Sequence, residues 1–196
     1  MATQIYSGTN EHDGKLIHDS EAKLESNKRE LEIPHAVGFC KNCFRSRRDG
    51  SAYCGQCQDE PKRFTIYTDE VHAFPLLFKV KKKFDLTFKQ LENIIFTYGD
   101  TIYHSKDMPA HLVAHEITHV FQQQKFGVKE WWKKYLEDPE FRLEQELEAY
   151  RQQYKVAKAR NEVESAFVLE KISEDLSSEI YGNIITTGEA KTRIMA

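Results

Sequence analysis

The pentapeptide His115-Glu116-Ile117-Thr118-His119 sets two imidazoles and a carboxylate at a spacing that suits metal chemistry. Histidines four residues apart on a helix share a face and lie about 6 Å apart along its axis, so both rings can reach one ion. Glu116 is turned about 100° from His115, a position from which a carboxylate reaches a water on that ion. The pattern therefore suits hydrolysis by a metal-activated water, with His115 and His119 as ligands and Glu116 as general base. Val113, Ile117, Val120 and Phe121 fall on the opposite side and give the helix an apolar back. On this reading the two histidines stand apart from the core. His111 shares their face one turn earlier and reads either as a substrate-side group or as a solvated histidine.

A second cluster is separate. Cys40, Cys43, Cys54 and Cys57 form two C-x-x-C pairs with residues 44 to 53 between them. Gly55 fits a tight turn, and four thiolates on two such turns can enclose one tetrahedral zinc ion. The alternatives are two disulfides in a secreted chain, or a redox pair, for which the strand–helix context is missing. The expectation is one structural Zn2+ here and one catalytic Zn2+ on the histidine helix.

A catalytic zinc takes three protein ligands and keeps one position open. Past His119 the chain reads Val-Phe-Gln-Gln-Gln-Lys-Phe-Gly, with no third histidine within the next dozen residues. That argues against the metzincin pattern, and against SprT-like proteases, which also pair such a helix with a four-cysteine ribbon. The third ligand is then an acid on a later helix. In the segment after Pro139, Leu143, Leu147, Tyr150, Tyr154 and Ala157 define one buried face at about 100° per residue. Glu146 lies about 60° from the centre of that face, and Glu144 and Glu148 about 100° and 140° away. Glu140 lies as near as Glu146 but in the first turn. Glu146 is the expected ligand; Glu144 and Glu148 read as solvated.

His115-Glu-Ile-Thr-His-Val-Phe-Gln-Gln followed by Glu146-Leu-Glu-Ala-Tyr150 resembles compact gluzincin-type zinc metallopeptidases. In that group a second helix donates the first Glu of an E-x-x-A motif to zinc, which implies Glu146 as ligand. Many members carry Asp four residues after that Glu, supporting a ligand histidine, whereas this chain has Tyr150. The resemblance covers about residues 100 to 160 and implies a zincin-like domain that hydrolyses protein or peptide substrates. Tyr150 is the first candidate for a donor to the developing oxyanion, beside Tyr154, Arg151 and His104. The strand at 101–104 is expected to be the edge that pairs with an extended substrate. The tail Asp175 to Ile185 is similar to tails of phage and prophage proteins with such motifs, which implies a rival function. That rival is a non-catalytic zincin-fold assembly or virion component, partnered by phage structural proteins. A further rival is a nucleic-acid-binding zinc ribbon using Arg45, Arg47, Arg48, Phe44 and Tyr53; a solvated loop on a structural knuckle is the preferred reading of those residues.

The elements that must hold these residues follow an α+β order. Residues 1–33 read as a polar arm, 34–60 as the four-cysteine module, and 61–196 as the zincin-like domain. Phe64 to Thr68 alternates as a strand, a helix is expected near 86–92, and Asn93 to His104 forms a hairpin about Gly99-Asp100. Asp107-Met-Pro109 starts the histidine helix, with Asp as cap and Pro in the first turn, and Gly127 ends it. Asp138-Pro139 starts the next, to about Lys158; helices near 163–177 and after Thr187 complete the chain. No element is assigned between Gly127 and Asp138.

The 196 residues include 40% hydrophobic ones, with 12 Phe and 9 Tyr, enough for a true core. Net charge is -3, which argues against nucleic acid or an anionic membrane as a general partner. No apolar run nears the roughly 20 residues of a membrane span. The start, Met-Ala-Thr-Gln-Ile-Tyr, has no basic or apolar leader region, so the chain is expected in the reducing cytoplasm where it is made, or on a virion.

Overall fold

The computed structural model describes residues 28–30, 65–67, 73–103, 108–160 and 162–196. The four cysteines, Phe44, Arg45, Arg47, Arg48, Tyr53, His104 and Asp107 lie outside them, so the cysteine module and the cap at Asp107 are not described.

A small sheet precedes the helices. Its strands are β1 (Lys28–Glu30), β2 (Thr65–Tyr67), β3 (Phe96–Tyr98) and β4 (Thr101–Tyr103), in the order β1-β2-β4-β3. β2 and β4 run parallel and the other pairs antiparallel. Three of the strands lie where the alternating pattern expects them. Lys28–Glu30 was expected within the polar arm. It joins the sheet through backbone pairing, which an apolar alternation does not report.

Short helices α1 (Leu77–Lys83) and α2 (Phe88–Leu91) fall between β2 and β3. Then follow α3 (Ala110–Phe126), α4 (Val128–Glu137), α5 (Pro139–Arg160), α6 (Glu162–Leu176), a 3-10 turn (Glu179–Tyr181) and α7 (Thr187–Met195). The α+β expectation holds at this level. Among the described residues, no helix is long and apolar enough to cross a membrane.

Local signals set the helix boundaries. Pro109 is the N-cap of α3, one place before the first turn to which it was assigned, with an extended ψ of 153°. Gly127, at φ +83°, closes α3 and opens α4 at the same residue. Such a φ favours glycine, so two helices can meet at an angle without a loop. Asp138 Oδ1 accepts from the backbone N–H groups of Glu140 and Phe141, which starts α5.

α4 is the element left unassigned. Its residues Trp131 and Trp132 are buried and join Phe74, Phe96 and Tyr103 in an aromatic core beneath the hairpin. Phe74 stacks on Phe96 with ring centres 4.4 Å apart. A second core lies along the apolar back of α3, where Val113, Ile117 and Val120 meet Val156, with Phe121 partly buried against it. A third joins Leu143, Leu147, Tyr150 and Ala157 to α6 and α7, with Tyr154 only partly buried. α5 is thus covered on two sides, towards α3 and towards α6 and α7.

Candidate metal centre

α3 and α5 pack side by side, and that packing builds the site. His115 and His119 project from α3 and Glu146 from α5, all three buried. The expectation that the histidines stand apart from the core is corrected: they are 7% and 6% exposed. Aromatic rings from neighbouring helices cover them. Trp131 of α4 lies 5.5 Å from the His119 ring, and Tyr150 of α5 lies 4.6 Å from the His115 ring.

The ligand atoms converge. His115 Nε2 and His119 Nε2 are 3.0 Å apart, and Glu146 oxygens lie 3.3 Å from the first and 3.5 Å from the second. Donors about 2.0 Å from one tetrahedral ion stand about 3.3 Å from each other, so these separations suit such an ion.

The outer contacts decide which atoms face inward. His115 Nδ1 lies 2.9 Å from Gln153 Oε1, and His119 Nδ1 lies 2.8 Å from Gln122 Oε1. An amide oxygen only accepts, so both imidazoles carry a proton on Nδ1 and present the Nε2 lone pair inward. Glu146 Oε1 accepts from the Tyr135 hydroxyl at 2.6 Å, while buried Glu146 Oε2 has no hydrogen-bond partner among the described residues. Lone pairs crowded together away from water repel unless a positive charge lies among them. The group could therefore hold a metal ion, and its donor set fits one.

Without metal, a proton takes that place. Burial pulls the His119 pKa down, but the Glu146 carboxylate beside it prevails and raises it to about 9. Burial alone would raise the Glu146 carboxyl; His119 and His115 hold it well below the usual carboxylate range. Because His119 is raised, its charge stabilises the metal-free fold below about pH 6.5, and this is lost as pH rises towards about 9. Glu146 acts oppositely, and its contribution is lost as pH falls below about 4.5. Metal must displace the His119 proton. Apparent affinity should therefore tighten by about tenfold per pH unit between pH 6.5 and 9, with about one proton released near pH 7. Calorimetry in buffers of different ionisation heat measures that proton as the difference between wild type and His115→Ala/His119→Ala, in which the protons released by the cysteine thiols cancel.

The remaining candidates divide. Glu116 is buried on α3, and its Oε2 accepts from Thr97 Oγ1 of β3 at 2.7 Å. Glu140, Glu144 and Glu148 are exposed, as a solvated role requires, although Glu148 accepts from Gln122 Nε2 at 3.0 Å. Arg151 is not among the residues that line the site's cavity, and its Nε–H donates to the Arg193 carbonyl of α7 at 2.7 Å. Tyr150 does face the site, with its hydroxyl 3.3 Å from that of Tyr181.

The expected substrate edge is also corrected. β4 is internal to the sheet, because β2 pairs along its other side. Among the described strands β3 lies at the end of the sheet next to β4, and its Thr97 carbonyl already accepts from Gln123 Nε2 at 2.8 Å and Trp132 Nε1 at 3.1 Å. Gln123 Oε1 also accepts from the Gly99 N–H at 2.8 Å, so this fully buried residue clips the hairpin to α3.

Sequence reading missed the residues that surround the ligands and the base: Gln122, Gln153, Tyr135 and Trp131 meet the ligands, Thr97 holds Glu116, and Tyr181 meets Tyr150. A signal existed for two of them. Gln122 lies one turn beyond His119, and Gln153 two turns beyond Glu146, on the same helical stripes.

His115, Glu116, His119, Glu146 and Tyr150 open together on a cavity of about 630 Å3, which His111, Gln153 and Tyr181 also line. Its wall is largely apolar, with Phe84, Leu86, Ile94, Leu112, Val168 and Ile172. The chain matches no protein-family model, no curated protein and no solved structure.

Proposed function

We propose that this chain is a zinc-dependent metallopeptidase, with His115, His119 and Glu146 as the zinc ligands and Glu116 as the general base. One observation carries the reading: the three converging ligand groups and the Glu116 carboxylate line one cavity. A metal needed only for structure requires no such carboxylate beside it. When bound, zinc supplies a Lewis acid that brings the pKa of water towards about 7. Glu116, steadied by Thr97, takes the proton of the attacking water and passes it to the departing amine.

Tyr150, whose ring lies against His115, and Tyr181 line the same cavity and offer hydroxyl groups to the scissile carbonyl oxygen. Burial, and then the Glu146 carboxylate, push both phenols well above their usual range, so both keep their protons. A second zinc on Cys40, Cys43, Cys54 and Cys57 completes the proposal as a structural ion.

A peptide-library digest tests the reading. Cleavage should vanish with a chelator and return with added zinc. A zinc-loaded chain that cuts no peptide would instead support a metal scaffold without catalysis.

A further inference from the structure

Gln153 ties the metal centre to a third histidine. Its Oε1 lies 2.9 Å from His115 Nδ1, and its Nε2 lies 3.3 Å from His111 Nδ1. The side chain is 3% exposed, so water does not compete freely for either end. An amide has one accepting end and one donating end, which exchange only if the group turns over. A cation on His115 Nε2 leaves that ring's proton on Nδ1, where it donates to Gln153 Oε1. The amide NH2 must then face His111, whose Nδ1 can only accept. The proton of a neutral His111 is therefore on Nε2.

We propose that Gln153 couples the ligand His115 to His111, fixing His111 as a neutral imidazole whose Nε2–H donates to a carbonyl or carboxylate oxygen of the molecule bound in the cavity. His111 lines the same cavity as His115, Glu116 and His119. It lies one turn upstream of His115, about 6 Å along the helix axis, within reach of an atom next to the reacting one. Burial lowers its pKa against the opposing pull of Glu164, which agrees with a neutral ring. The donor role rests on the peptidase reading, whereas the coupling does not. Gln153 is a positioning residue and His111 the group that meets the ligand.

The test is a long-range 1H–15N correlation on the 15N-labelled full chain loaded with zinc, which reports the tautomer of each imidazole. His111 should carry its proton on Nε2. Gln153→Glu should then retain zinc, because a carboxylate still accepts from His115 Nδ1–H. A carboxylate cannot donate, so His111 should switch its proton to Nδ1. A packing role alone would not move a tautomer. A zinc-loaded wild type with the proton on His111 Nδ1 overturns the coupling without any variant, as does an unchanged tautomer in Gln153→Glu. In cleavage, His111→Ala should lower kcat by about 10²-fold with zinc content and KM near wild type; an unchanged kcat overturns the donor role. If the zinc-loaded wild type cuts nothing, the peptidase reading fails and the tautomer measurement still decides the coupling.

Discussion

Glu116→Gln is expected to leave the zinc content unchanged while lowering peptide cleavage by about 10² to 10⁴-fold. The substitution keeps size and hydrogen bonding. The glutamine carbonyl oxygen can still accept from Thr97 Oγ1, which donates to Glu116 Oε2 at 2.7 Å. The lost property is the ability to take a proton. Because neither ligand histidine nor Glu146 depends on that carboxylate for a hydrogen bond, zinc should remain. Turnover equal to wild type would remove Glu116 from the role of base, even with the metal in place.

Trp131→Ala should have the largest effect on stability. The side chain is 1% exposed, stacks on Tyr135 with centres 4.8 Å apart, and meets Trp132 at 5.2 Å. Removing a buried Trp costs about 3–5 kcal/mol, a large part of the roughly 5–15 kcal/mol that holds a domain folded. Its Nε1–H donates to Gln145 Oε1 at 3.0 Å, so truncation also leaves that buried oxygen unpaired. At about 2–4 °C per kcal/mol for a chain of this size, Tm should fall by on the order of 10 °C. The indole also covers His119, so zinc affinity should weaken in the same variant. Urea unfolding with a change below about 1 kcal/mol would show that the aromatic core does not depend on this ring.

The sequence was most readable where a local rule acts alone. The hairpin about Gly99-Asp100 and the start of α5 at Asp138-Pro139 each rest on a few adjacent residues, and both occur as expected. His115, Glu116 and His119 are legible for the same reason, since one helix sets their spacing. Glu146 was legible through its facing, because its distance from the apolar stripe of α5 is itself a local quantity. Residues defined by another element were not legible. Gln145 and Gln153 look like the solvated side of an amphipathic helix, yet both are buried, Gln145 against Trp131 of α4 and Gln153 against His111 and His115 of α3. α4 carries its two tryptophans between lysines, and their burial depends on a hairpin more than twenty residues earlier. The edge position of β3 depends on β2 pairing with β4 across more than thirty residues, which no local pattern of the hairpin reveals.

His115, His119 and Glu146 are assigned together to one metal ion. Zinc per chain, measured after equilibration with zinc and removal of excess, tests that assignment most directly in the full-length wild type and in His115→Ala/His119→Ala. The wild type should carry two equivalents, one of them on the cysteines, and the variant should carry one fewer. An equal count in both chains would contradict the assignment.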